Sequence, residues 1–153
     1  PYGGWNLDNM DAHGGWLSSA VDLARFACAD DDPADSPIID EDNMSVIIGE
    51  PEGIPITGGH YYGGGWMVRP VNDKFNMWHN GSLDGTYTFI VRRWDGLNWV
   101  VLFNQRDDSG RGGYGAIDGL LHQAANAVTD WPEHEAKIGR FWRNALVNQK
   151  CNP

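Results

Sequence analysis

The sequence predicts an α+β domain, with an antiparallel β-sheet flanked by helices. Three observations carry that expectation. An amphipathic stretch near the N-terminus is followed by strand-like runs joined at Gly, Asn and Asp turns, and then by apolar residues at unbroken helical spacing. The order helix, strands, helix, helix fits helices packed on an antiparallel sheet. A length of 153 residues suits one domain with its own core.

Residues 1–16 are rich in Gly, Asn, Asp and Trp and read as an extended loop. Ala20, Leu23, Ala24 and Ala27 share one helical face, and Ser19 with Asp22 forms a capping-box variant. A helix is therefore expected from Ala20 to Cys28. Asp30-Asp31-Asp32-Pro33-Ala34-Asp35 ends it; the run lacks the alternating ligands of a calcium loop and reads as solvated. Asn43 to Gly49 fits a short helix or a strand equally well. Glu50 to Gly59 holds Pro and Gly and reads as a loop.

Tyr61 to Arg69 reads as a single strand entered through Gly63-Gly64-Gly65, with Asn72-Asp73 turning it back into Lys74 to Trp78. Tyr87 to Trp94 and Leu97 to Asn104 form the next pair, and Asp95-Gly96 between them is a type I′ hairpin signal. The run Trp99 to Phe103 is continuously apolar, which implies cover on both faces. Asp107 to Gly115 is a polar loop. Ile117, Leu120, Leu121, Ala124, Ala125 and Val128 then follow helical spacing until Pro132. Ile138, Phe141, Trp142, Ala145 and Leu146 repeat the pattern, so 133–150 is expected to add an amphipathic C-terminal helix.

A net charge of −10 argues against nucleic acid and anionic membranes as partners. No run of 18 apolar residues is present, so no membrane span is expected. The sequence shows no secretory leader, and Pro1 is not a natural start, which reads as a piece of a longer protein. Cys28 and Cys151 can pair in only one way. No CxxC, HExxH or zinc-spaced Cys/His cluster occurs, so no metal and no cofactor are expected. Trp66, Trp78, Trp94 and Trp99 supply either core or a stacking surface.

The chemistry centres on Met77-Trp78-His79-Asn80-Gly81-Ser82-Leu83-Asp84-Gly85. A strand-like run delivers a His at its mouth, then a Gly and a small hydroxyl residue, before Gly85 turns the chain back. An ordinary strand-end His and a turn Ser are the plain alternatives.

Several pieces line up with one family. The helix Gly14 to Phe26, GGWLSSAVDLARF, resembles the "GG-L-x-S-T-x-x-D-L-A-R-F" helix of the serine β-lactamase-like hydrolases. Tyr62-Gly63-Gly64-Gly65-Trp66 is similar to their "YGxGW" strand, and His79-Asn80-Gly81 to their K-T-G or H-x-G triplet. Gly119 to Pro132 resembles their closing helix. The match is strongest over 14–132 and implies part of a β-lactamase/transpeptidase-like fold. It also implies a periplasmic or secreted location, and a small-molecule or peptide substrate carrying an amide or ester bond. By the same resemblance His79 offers a donor or positive charge, Asn80 and Gly81 receive substrate, and the Ser82 backbone N–H is an oxyanion donor.

The departure lies in what is missing. No Ser has a Lys three residues on, and no Tyr has an Asn two residues on. The family's S-x-x-K and Y-x-N motifs both precede the GG-L-x-S helix. The resemblance therefore implies the C-terminal portion only, with the N-terminal portion of the same hydrolase as its partner, and an open edge inviting self-association. The alternative is a non-catalytic, acidic, aromatic-rich interaction module.

Overall fold

A computed structural model describes residues 6–29, 36, 38–54, 56, 58–106 and 113–130. Among them a five-stranded antiparallel sheet, in the order β1-β2-β3-β4-β5, is flanked by three α-helices. The α+β class expected from the sequence holds. The acidic run Asp30–Asp35, Pro132 and the helix expected within 133–150 lie outside the described residues.

Residues 6–16 are coiled rather than extended. Leu7–Asn9 form a 3-10 turn, and the His13 and Gly15 amides bond back to Met10 and Asp11. Helix α1, Ala20–Ala29, starts as expected. The Asp22 amide donates to Ser19 Oγ at 3.1 Å, and Ser19 Oγ donates to the Asp22 carboxylate at 2.7 Å. Those hydroxyl and Arg25 hydrogen bonds outweigh the cost of burial and lower the Asp22 carboxyl.

The stretch left open between helix and strand is helix α2, Glu41–Ile48. Asp40 caps it by accepting from the Asn43 amide at 2.8 Å, and Glu41 and Asp42 complement the helix N-terminus. Tyr61 to Arg69 is not one strand. It is β1, Tyr61–Tyr62, and the start of β2, Met67–Val71, paired antiparallel. The reversal is made by Gly63–Trp66, where the Gly63 amide bonds to Trp66 O and Gly65 adopts φ +87°.

Strand β3, Lys74–Leu83, pairs with β2 through Val71↔Lys74 to Met67↔Trp78. It continues past Trp78, so His79 lies inside a strand rather than at its mouth. Strand β4, Thr86–Arg92, returns after Asp84-Gly85, and β5, Asn98–Phe103, completes the sheet. The β4–β5 hairpin falls where expected, but its turn is not type I′. Gly96 donates to Arg93 O, Arg93 donates to Leu97 O, and only Gly96 of Asp95-Gly96 has positive φ. That is a three-residue loop, a type I turn closed by a left-handed glycine.

Each face of the sheet has its own core. Tyr61, Trp66, Val68 and Met77 pack with Met44, Ile47 and Ile48 of α2. Helix α1 covers β4 and β5 from the same side, where Asn98 Nδ2 reaches Cys28 Sγ at 3.5 Å and Phe26 stacks on Trp66. Cys28 is disulfide-bonded; the other cysteine of the sequence, Cys151, lies outside the described residues. On the opposite face Phe89, Val91, Leu97 and Trp99 pack under Ile117, Leu121 and Ala125 of α3, Ile117–Ala127. Val68 and Val91 are fully buried on opposite faces, and each contributes about 1.5–3 kcal/mol. Cover over β5 is incomplete, because Leu102 remains 40% exposed.

Arg93 ties the β4–β5 turn to α3. It makes paired hydrogen bonds to Asp95 at 2.7 and 2.8 Å, donates to Asn126 Oδ1 at 2.7 Å, and lies over the Trp99 ring. Burial works to raise the Asp95 carboxyl, but the Arg93 hydrogen bonds and charge, with the Leu97 amide, hold it below the ordinary value. A lowered folded value means that the pair stabilises the fold at neutral pH and stops doing so as pH falls through that value. Arg93→Ala is expected to cost about 2 kcal/mol, between the exposed-pair and buried-pair ranges. It should also flatten the acid side of the stability–pH curve below about pH 4. Urea titrations at several pH values check both.

Candidate functional site

The open edge of β3 arises from unequal strand lengths. Strand β2 begins at Met67, opposite Trp78, whereas β3 runs on to Leu83. Beyond Trp78, β3 is therefore paired on one side only among the described residues, by β4.

The hydrogen-bond alternation tells which groups face that edge. The Arg93 amide bonds across to Leu97, so Arg92, Ile90 and Thr88 turn their backbone groups toward β3. The register opposite them gives Met77, His79 and Gly81. The intervening Trp78, Asn80 and Ser82 then point away from β4. The tight turn closed by Val71↔Lys74 gives the same parity from the other end. Trp78 meets Met67, while the amides and carbonyls of Asn80 and Ser82 face the open side. No backbone hydrogen bond reaches them from that side among the described residues.

His79, Asn80 and Ser82 are exposed, and Gly81 is half-buried. His79 Nε2 lies 3.0 Å from Tyr62 Oη, with the two rings edge to face. Asn80 sits opposite Phe89, and Ser82 opposite Tyr87. Gly81 sits opposite Thr88, and a Cβ on it would meet Thr88 Oγ1 at 2.6 Å. Glycine at 81 thus has a cross-strand reason. Behind the edge, Trp78 is flanked by the Arg69 guanidinium at 4.8 Å and the His60 ring at 5.4 Å.

The four tryptophans do not make one stacking face. Trp66 belongs to the core under α2, Trp99 and Trp78 to the one under α3, and Trp94 is 45% exposed.

The residues expected at the site are thus consecutive on one strand, with the Asn80 and Ser82 amides on its open side. Sequence reading assigned no site role to Tyr62 or Thr88. Thr88 was within reach of counting: a two-residue turn at Asp84-Gly85 pairs 83 with 86 and hence 81 with 88. Tyr62 was not, because its approach to His79 depends on two intervening strand pairings.

No family model, curated protein or solved structure matches the chain. No helix among the described residues is long and apolar enough to cross a membrane.

Proposed function

We propose that the chain is the C-terminal part of a serine hydrolase of the β-lactamase-like class, acting on an amide or ester bond. The observation that carries the reading is the open edge of β3, where the Asn80 and Ser82 amides beside His79 have no backbone partner among the described residues. Attack on an acyl carbonyl puts negative charge on oxygen, and fixed backbone donors are well suited to receive it; one such donor is worth ~10²–10³-fold in rate. In this reading the Ser82 N–H is one donor, His79 another, and Asn80 and Gly81 receive the substrate. The nucleophile and its base come from the N-terminal portion, joined or as a partner chain. The disulfide at Cys28 fits an oxidising, periplasmic or secreted location. The charge of −10 leaves nucleic acid outside the proposed partners.

A second reading, an interaction module, is favoured by exposed apolar residues before and on α1. Trp16 is 77% exposed, Leu17 95%, and Val21 and Phe26 44% each. Self-association through this face belongs to that reading, whereas self-association through the β3 edge belongs to the hydrolase-fragment reading.

The test is the protein encoded with its upstream sequence. The chain alone should leave nitrocefin and p-nitrophenyl esters untouched. The longer protein should form an acyl adduct on a serine of an upstream S-x-x-K. In it His79→Ala should change stability by about 0.5 kcal/mol or less, as at an exposed site, and lower kcat/KM about tenfold or more. A parent without S-x-x-K removes the hydrolase reading and leaves the interaction module; an adduct on a serine of this chain overturns its expected inactivity and the upstream placement of the nucleophile.

A further inference from the structure

We propose that Tyr62 is a positioning residue for His79: it holds Nε2 as an acceptor, so that the ring offers its Nδ1–H as a donor to an acyl or carboxylate oxygen bound at the open edge of β3. The catalytic consequence rests on the hydrolase reading; the pair itself does not. Tyr62 Oη and His79 Nε2 are 3.0 Å apart. Their ring centroids lie 5.9 Å apart at 63°. The Tyr62 backbone is held by its pairing with Met67, which in turn pairs with Trp78, the neighbour of His79. The hydroxyl is thus delivered from a strand and not from a loop.

A neutral imidazole has one N–H and one bare nitrogen. A phenol donates more readily than it accepts, because its oxygen lone pair is partly delocalised into the ring. With Tyr62 donating, the bare nitrogen is Nε2 and the proton sits on Nδ1. No partner for Nδ1 is found among the described residues. The ring's one lone pair is then engaged, so His79 is poorly placed to take a proton from water or a nucleophile. What it can do is donate, which matches the Asn80 and Ser82 amides along the same strand. The three groups suit a ligand presenting acceptor oxygens, which is the chemistry of an acyl carbonyl or a carboxylate.

The first test uses the chain as it stands. Long-range ¹H–¹⁵N spectra at about pH 8.5, well above the ordinary imidazole value, report which ring nitrogen carries the proton. A His79→Gln spectrum assigns the signals. His79 should be protonated on Nδ1, and Tyr62→Phe should shift it toward the Nε2–H form that an unrestrained histidine prefers. A bare Nδ1 in the unaltered chain, or a tautomer indifferent to Tyr62→Phe, overturns the proposal.

The second test uses the protein completed by its N-terminal portion. His79→Asn sets an amide N–H near the place of Nδ1, and His79→Gln sets one near Nε2. Asn should keep kcat/KM within about threefold, while Gln should lose about tenfold, the worth of a charge-assisted donor. Gln outperforming Asn overturns the assignment. The expected tautomer together with no turnover in any completed protein upholds the pair and sinks the hydrolase reading.

Discussion

Gly63→Ala is expected to destabilise the fold by about 3 kcal/mol or more, from overpacking against backbone and a strained hydrogen bond together. A Cβ at 63 would overlap the carbonyl oxygen of Ile47 and crowd its carbon at 3.3 Å. The obstacle is backbone, in the last turn of α2, and it has no rotamer to escape into. The same oxygen accepts the Gly64 amide at 2.9 Å, and the next carbonyl, of Ile48, accepts the Tyr61 hydroxyl. Moving Ile47 aside would therefore release the α2 C-terminus, whose carbonyls need outside partners. Burial and the nearby Glu50 charge raise the Tyr61 hydroxyl, so that clasp holds up to alkaline pH and weakens only as the phenol ionises. Gly65→Ala is the control. Gly65 has φ +87° with open space around it, so a methyl there meets strain alone, about 1–2 kcal/mol. Urea midpoints of the three proteins decide the matter; a Gly63→Ala midpoint at or above that of Gly65→Ala would sink the backbone-contact account.

This joint also explains what could and could not be read from the sequence. Helix α1 was legible because its signals are local: Ser19 and Asp22 cap it, and the apolar spacing shows its buried face. Helix α2 was not, because its N-cap, Asp40, lies outside the window from Asn43 that left helix and strand in balance. Gly63-Gly64-Gly65 read as the entry to a strand, whereas the contact that turns the chain there comes from Ile47, in another element. At the β4–β5 hairpin the pair Asp95-Gly96 matches a type I′ turn. The Arg93–Asp95 fork and the Gly96 bond to Arg93 select a longer loop in its place.

The site divides in the same way. That His79 to Ser82 are neighbours before a glycine turn is written in the chain. Strand β3 runs through them without an apolar pattern, because its partner on β4 supplies the order. Which of their amides face outward follows from register. A shift of one residue would have turned the His79 and Gly81 amides to the edge in place of those of Asn80 and Ser82.

Gly81→Val is expected to abolish acylation in the protein completed by its N-terminal portion, a loss above about 10²-fold in kcat/KM, comparable with removing an oxyanion donor. Two causes would give that loss, and the structure separates them. A Cβ at 81 meets Thr88 Oγ1 at 2.6 Å, so the variant strains the β3–β4 pairing. It also widens the strand beside the Asn80 and Ser82 amides, where the proposed substrate lies. The first cause is a side-chain clash and is relieved by Thr88→Ala, after which the next atom, Thr88 Cβ, stands at an ordinary 3.9 Å. The second is untouched by that change. Gly81→Val should therefore lower the thermal midpoint, and Thr88→Ala on top of it should restore most of that fall. Acylation should stay lost in the double variant, while Thr88→Ala alone keeps it. Recovery of activity together with stability would mean that glycine at 81 serves cross-strand packing, and that substrate does not lie along this edge of β3.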